Sequence, residues 1–378
     1  MTRIGFAYNQ KPDPVAADTA AELAHADEVR ADEEPPGSGA AAATLLAPAP
    51  AADDEFAEWD APATIDAVAR ALASYGAVIQ LEATDDFPQR LRSTRPDIVF
   101  NIAEGLRGPN REAHVPAICE FYGIPYSGSD PFTLALCLDK ARTKEILRAR
   151  GVPTADWSLI STPQELRAFA AHHPQLPLFA KPVHEGSSKG ITEQNFIEST
   201  AALSPVVLDL LERYQQPVIV ETFLPGAEFT CGILGNGGSA RVLPIVGMNF
   251  GALPPGAVPI YGFEAKWLWD TREEPLDIFE CPATVSDAMR AEIEDVALRA
   301  YHALGCRDWA RVDVRLDVDG HASVVEVNPL PGILPDPCDN SCLPKAARAA
   351  GLDYDALIGV ALRAAADRQG VALGARRT

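Results

Sequence analysis

Two kinds of apolar spacing take turns along this chain, short runs with period two or none and longer runs with the 3.6-residue period of a helix. Arg3 to Tyr8 predicts a first strand. Thr64 to Tyr75 predicts an amphipathic helix capped by Thr64 and ended at Gly76, followed by a strand at Ala77 to Glu82. Asp86 to Ser93 predicts a second helix, and Asp97 to Ile102 a buried strand running into Ala103-Glu104-Gly105. Such alternation predicts a small parallel sheet with helices on its faces. Ligands bind at the carboxyl ends of strands in these sheets, which makes Glu104 a candidate site residue; an exposed loop carboxylate is the alternative. The pattern lapses between about Gln10 and Asp54, where PPGSGAAAA and APAPAADD supply too few large apolar residues to pack. A mobile loop is expected there, with one short helix at most, at Pro14 to Arg30.

Beyond a helix at His114 to Tyr122, the turn-rich GIPYSGSDP marks a domain boundary. One helix is predicted from Pro131 to Arg150, carrying Lys140 and Lys144 one turn apart, an arrangement that ordinarily leaves both solvated. Leu176 to Pro182 predicts a strand that delivers Lys181 to HEGSSKGI, where Gly186 and Gly190 allow close backbone approach and Ser187 and Ser188 offer donors. Such a loop can fold over phosphates, although it is not a Walker loop, since its lysine precedes the glycines. Pro217 to Phe223 and the segment after Pro225-Gly226 predict two strands that present Glu221 and Glu228 to a cleft between sheets. Pro244 to Pro282 is turn-rich, as lids and binding loops are. Ser286 to Leu304 predicts a helix ended by Gly305. In Trp309 to Asn328 Asp313 opens one strand run, Val318-Asp319-Gly320 turns the chain, and Glu326 and Asn328 close the next. Antiparallel pairing brings these three oxygen ligands to one end of one face, with Arg311 beside them. Hard oxygen ligands without sulfur or imidazole suit magnesium; the alternative is a surface hairpin with solvated charges. After PLPGILPDPCDNSC, helices are predicted at Leu343 to Ala350 and Tyr354 to Arg368.

Composition narrows the function classes. The 378 residues suggest two or three domains, and 47% hydrophobic with 22% charged residues is the mixture of a soluble globular protein. A net charge of -21 disfavours sequence-independent binding to nucleic acid or to an anionic membrane, while a local basic cleft remains open to ATP. Seven scattered cysteines fit reduced thiols, and no apolar run reaches the length of a signal or membrane span, so a cytoplasmic protein is expected.

The succession DKARTK, LFAKPVHEGSSKGI, VIVETFLPGAEFT, FEAKW, ARVDVRLD and VVEVNPLPGI resembles the D-alanine:D-alanine ligase family of ATP-grasp enzymes, over about Asp97 to Arg368. The resemblance implies an α/β (α+β) ATP-grasp fold: a Rossmann-like domain over 1–129 with the insert at 10–54, a central subdomain over 130–224, and a C-terminal subdomain over 225–378. ATP would lie between the last two, with magnesium, or manganese in its place. Lys140 and Lys181 would touch phosphates, Ser187 and Ser188 cover them, and Lys266 reach the terminal one. Glu221 would meet the adenine amino group beside Phe223, Leu224 and Val325, and Glu228 the ribose. Asp313, Glu326 and Asn328 match the metal ligands. Arg311 and the amide of Gly332 match the groups that stabilise the oxyanion when an amine attacks an acyl phosphate.

Several departures bear on substrate. The family's N-terminal glycine-rich turn with its amine-binding Glu is replaced by Ala7-Tyr8-Asn9-Gln10-Lys11, Glu104-Gly105 stands where the family has His-Gly, and Lys-Tyr becomes Lys266-Trp267. Extra residues separate Gly332 from Ser341, in the loop that would hold the second substrate. Glu104 is expected to receive the first substrate's ammonium, with Trp267 packed over it and Ser341 at the second substrate. The expected activity is thus ATP-dependent ligation of small amino-acid or peptide substrates, in peptidoglycan precursor synthesis or specialised metabolism, by a homodimer; a kinase or a non-catalytic ATP-binding protein is the alternative.

Overall fold

The computed structural model describes residues 1–12, 56–262, 264–270 and 276–374, so the predicted loop and short helix at 13–55 lie outside the described residues. Three sheets organise the described chain. β1 (Arg3–Tyr8) lies between β2 (Ala77–Glu82) and β3 (Ile98–Asn101), all parallel. α1 spans Pro62–Ala73, two residues ahead of the predicted start, because Pro62 brings a helical φ and an already missing N–H to the first turn. Ala61 is the N-cap, and Thr64, expected to cap, is buried at 1% exposure. α2 (Phe87–Thr94) and α3 (His114–Tyr122) complete the unit, α3 ending at Gly123 with φ 64°.

The single helix expected over Pro131 to Arg150 is two, α4 (Pro131–Leu138) and α5 (Lys140–Ala149). Asp139 breaks it in an extended conformation (φ -86°, ψ 96°), accepting from the Arg142 amide at 2.9 Å as the N-cap of α5. An Asp side chain competes for backbone groups inside a helix and stabilises its start. The break sets Lys140 at the first position of α5.

β4 (Trp157–Ile160), β5 (Leu178–Pro182), β6 (Phe196–Ile197) and β7 (Val218–Thr222) form an antiparallel sheet in the order β4-β7-β5-β6. Its two helices, α6 (Pro163–Ala171) and α7 (Thr200–Tyr214), are absent from the sequence reading although each carries a hydroxyl cap, Thr162 and Ser199. The third sheet contains β8 (Glu228–Leu234), β9 (Arg241–Val242), β10 (Val246–Met248), β11 (Phe279–Glu280), β12 (Trp309–Leu316) and β13 (Ala322–Asn328), in the order β11-β10-β8-β12-β13 with β9 on β8. Glu264–Trp269 winds as a short π-helix between β10 and β11, two strands that the turn-rich segment Pro244 to Pro282 did not announce. α8 (Asp287–Leu304) is stopped by Gly305, as predicted, and Ser286, expected as its first residue, is its N-cap. α9 (Cys342–Ala349) and α10 (Tyr354–Gln369) close the chain within a residue of expectation.

Packing crosses these units. Cys137 of α4 and Leu147 of α5 share a core with α8 and the third sheet, although they precede the second sheet in sequence. Ile4, Phe6, Val68 and Leu72 of the first unit share another with Trp309, Leu343, Ile358 and Leu362. Each large side chain buried this way contributes roughly 1.5–3 kcal/mol. The first and third sheets are therefore held by one apolar interior, and a cavity of about 350 Å³ opens where all three sheets meet.

Candidate active site

β12 lies between β8 and β13, and its register pairs Arg311 with Asn328 and Asp313 with Glu326. Side chains two apart share a face, so all four residues turn toward the cavity. This is an inner strand rather than a surface hairpin, and it begins at Trp309, which places Asp313 mid-strand and not at its opening. Asp313 Oδ2 accepts from Arg311 Nε at 3.1 Å, Arg311 Nη2 at 3.0 Å and Asn328 Nδ2 at 3.2 Å, while Oδ1 accepts from Thr230 Oγ1 at 2.8 Å. Burial pushes the Asp313 carboxyl up in spite of Arg311. Burial acts the same way on Glu326, but Lys140, Lys181 and Arg311 together hold it below the ordinary range. The Asn328 amide nitrogen donates to Asp313, which leaves its oxygen as the donor for a cation. Among the described residues no cluster of three or more His, Cys, Asp or Glu side chains could hold a metal by itself. Two carboxylates and an amide oxygen suit a magnesium ion that takes its remaining ligands from phosphates and water.

The lysines are not solvated as their helix spacing led one to expect. Lys140, Lys144 and Lys181 are all buried, at 5%, 2% and 3% exposure. Lys144 and Lys181 both close on Glu221, Lys181 Nζ to Oε2 at 2.7 Å and Lys144 Nζ to Oε1 at 2.5 Å, the latter an ion pair outside hydrogen-bond angles. Burial alone would raise the Glu221 acid, but the two lysines bring it down to about 2. Lys140 Nζ donates to the Glu185 carbonyl and lies 3.9 Å from Glu326. Ser187 and Ser188 take left-handed φ values of 50° and 62°, uncommon for residues with a Cβ, and Ser188 Oγ donates to the Tyr261 carbonyl at 3.2 Å. The glycine-rich loop is thereby tied to the irregular crossing opposite it.

Phe223, Leu224 and Val325 line the same cavity. Glu228 is paired with Arg315 at 2.9 Å, and the Arg315 guanidinium stacks 4.5 Å from the Phe223 ring centre. Lys266 also faces the cavity; burial first, then Arg311 and Lys11, depresses its ammonium to about 8. The side chain of Trp267 lies outside the described residues. Gly332 lines the cavity with open space where a Cβ would point, and Ser341 braces that loop, its Oγ accepting from the Leu334 amide at 3.1 Å and donating to the Gly332 carbonyl at 3.4 Å.

Glu104 is half-buried on the cavity wall, not an exposed loop carboxylate. Further residues surround it. Glu58 accepts both Nε and Nη2 of Arg111, at 3.1 and 2.7 Å, and the Gly186 amide at 2.8 Å. A Cβ on Gly186 would fall 2.7 Å from Glu58 Oε1, so glycine lets the loop approach this carboxylate closely. Arg111 Nη1 also donates to the His184 carbonyl at 2.9 Å. Glu112 and Asp60 complete the acidic wall; burial pushes them up to about 8 and about 7. Glu58-Trp59-Asp60, which follows the Ala/Pro-rich stretch, was the visible signal for part of this wall.

Residues 146–362 match the family model described as D-ala D-ala ligase C-terminus. The chain is 35% identical to a D-alanine–D-alanine ligase of Ectopseudomonas mendocina over 78% of this chain and 86% of that one, and 33% identical to one of Polynucleobacter asymbioticus over 72% and 74%. It is also 34% identical to an uncharacterised protein of Sinorhizobium fredii, over 69% of this chain and 72% of that one. Among solved structures, D-alanine–D-alanine ligase from Bacillus anthracis complexed with ATP superposes with a TM-score of 0.66 at 21% identity, covering 98% of this chain and 99% of that one.

Proposed function

The chain belongs to the D-alanine:D-alanine ligase family of ATP-grasp proteins and is an ATP-dependent ligase that forms carbon–nitrogen bonds; we propose that its reaction runs through an acyl phosphate in the cavity lined by β12 and β13. The observation that carries this reading is the convergence of Arg311, Asp313, Glu326 and Asn328 with Lys140, Lys181 and Lys266 on one cavity. A carboxylate does not condense with an amine in water because its oxygen is a poor leaving group. Transfer of a phosphoryl group to that oxygen makes it a good one, and transfer is favoured chiefly by positioning and by offsetting charge.

In the proposed assignment Asp313, Glu326 and the Asn328 oxygen hold magnesium, which offsets phosphate charge when bound. Lys140 and Lys181 orient phosphates, with the Ser187-Ser188 loop over them. Glu221, Phe223, Leu224 and Val325 surround the base, and the Glu228–Arg315 pair faces the sugar. A substrate carboxylate oxygen attacks the terminal phosphorus as the bond to ADP breaks, and Lys266 lies where it can meet the transferring group. The amine then attacks the acyl carbon. Arg311 and the Gly332 amide take the resulting oxyanion, the carbon–oxygen bond to phosphate breaks, and the amine loses its proton to solvent. Glu104 faces the first substrate's ammonium and Ser341 steadies the loop near the second substrate. The further proposal is a homodimer acting in the cytoplasm, divided into 1–129, 130–224 and 225–378; among the described residues no helix is long and apolar enough to cross a membrane.

The test is a screen of amino-acid pairs for ATP-dependent phosphate release with the product weighed by mass spectrometry. A product equal to the two acids less one water, absent with Glu326→Gln that melts normally without nucleotide, is expected. Near-normal turnover by Glu326→Gln would remove these ligands from the site.

A further inference from the structure

The part of the cavity beside the first sheet carries more acid than its neighbours neutralise. Glu58 is matched by Arg111 at 2.7 Å, and Glu185 by Lys189 at 2.6 Å. Lys11 offsets Asp60 electrostatically. Glu104 and Glu112 are left over. Both line the cavity, and among the described residues neither side chain has a hydrogen-bond or ion-pair partner. Glu112 is only 9% exposed, where an unmatched carboxylate is costly unless it is protonated or meets a cation.

Position says which substrate meets them. Glu112 feels Lys140 and Glu326 as well as Glu58 and Arg111, while Glu104 feels Glu112, Glu58 and Asp60, with Arg111 the one cation acting on it. The acidic wall thus begins beside the phosphate-binding residues, where the carboxylate to be activated must lie. A neutral α-amino acid brings one ammonium to this wall and leaves one acid unmatched.

We propose that Glu104 and Glu112 are specificity-determining residues that select, as the activated carboxylate, an amino acid with a cationic side chain, whose two positive groups they neutralise. The proposal rests on the ligase reading and names the substrate class of its first subsite. Burial raises both acids, reinforced by Glu112 at Glu104 and by Glu58 at Glu112, which is pushed up to about 8.

The experiment uses the full chain with ATP, magnesium and hydroxylamine as the amine, so that any acyl phosphate is captured as a hydroxamate. Candidates are both enantiomers of alanine, 2,3-diaminopropionate, ornithine, lysine and arginine. The best cationic amino acid should exceed alanine of the same configuration in kcat/KM by about tenfold or more, within the range that pocket contacts discriminate. Glu104→Gln and Glu112→Gln should each erase most of that preference, and Glu112→Asp, which keeps the charge, should retain it. Wild-type protein that prefers a neutral amino acid, or folded Gln variants that keep the full preference, would overturn the proposal. Absence of hydroxamate from every candidate would instead overturn the ligase reading, and the proposal with it.

Discussion

Glu221 shows how a single residue can be read correctly for place and incompletely for role. Its strand position put it in the cleft, but only the fold shows two buried lysines closing on its carboxylate. Removing one partner of a buried ion pair typically costs about 3–5 kcal/mol, because the other charge stays buried. Glu221→Gln should therefore lower stability by about that much, read from urea unfolding without nucleotide; an unchanged midpoint would show that the lysines have other partners. Because the folded acid sits at about 2, below its ordinary 4.5, its contribution is present above pH 4.5 and lost as pH falls toward 2. Arg311 makes the opposite prediction. Arg311→Ala should slow turnover on the order of a hundredfold, about 3 kcal/mol, since the role proposed for Arg311 is that of an oxyanion donor. Nucleotide affinity, measured by titration, should change much less, and an equal loss in both would contradict the assigned role.

At the scale of elements, the hairpin was legible because alternation, a turn and a two-residue ligand spacing all agree within twenty residues. The register of Asp313 against Glu326 follows from it. The division of α4 from α5 was not legible, because Leu134 to Leu147 keeps a helical period across the break and a side-chain cap outweighs periodicity at Asp139. Asp139→Ala should cost about 1 kcal/mol of stability, and the Asn variant, which also caps, should recover most of it in the same thermal melt. The burial of Lys140 and Lys144 was hidden for a related reason. Helix spacing says that two side chains share a face, and says nothing of whether a second sheet covers that face.

For the whole molecule, the motifs fixed which sheets meet but not what the first sheet contributes. Glu58 and Glu112 reach the cavity, and Arg111 braces Glu58, through tertiary packing; residues that no spacing pattern links reveal that they share a wall only once that packing exists. The acidic wall they form has a measurable consequence for the molecule as a whole. Glu112 and Asp60 titrate at about 8 and about 7 when folded, against ordinary values of 4.5 and 3.8. The native state therefore holds protons that the unfolded chain releases. The stability of the empty protein from this source is full below pH 4 and declines as pH rises toward 8. Glu112→Gln should flatten that decline in denaturant midpoints taken across this window; an unchanged slope would mean the acid is already ionised in the fold. The claim on which the rest depends is the acyl phosphate. Its most direct test is to supply a substrate whose carboxylate is labelled with oxygen-18 and to weigh the phosphate released. The account predicts one labelled oxygen in each phosphate formed with product; unlabelled phosphate alongside an amide product would contradict it.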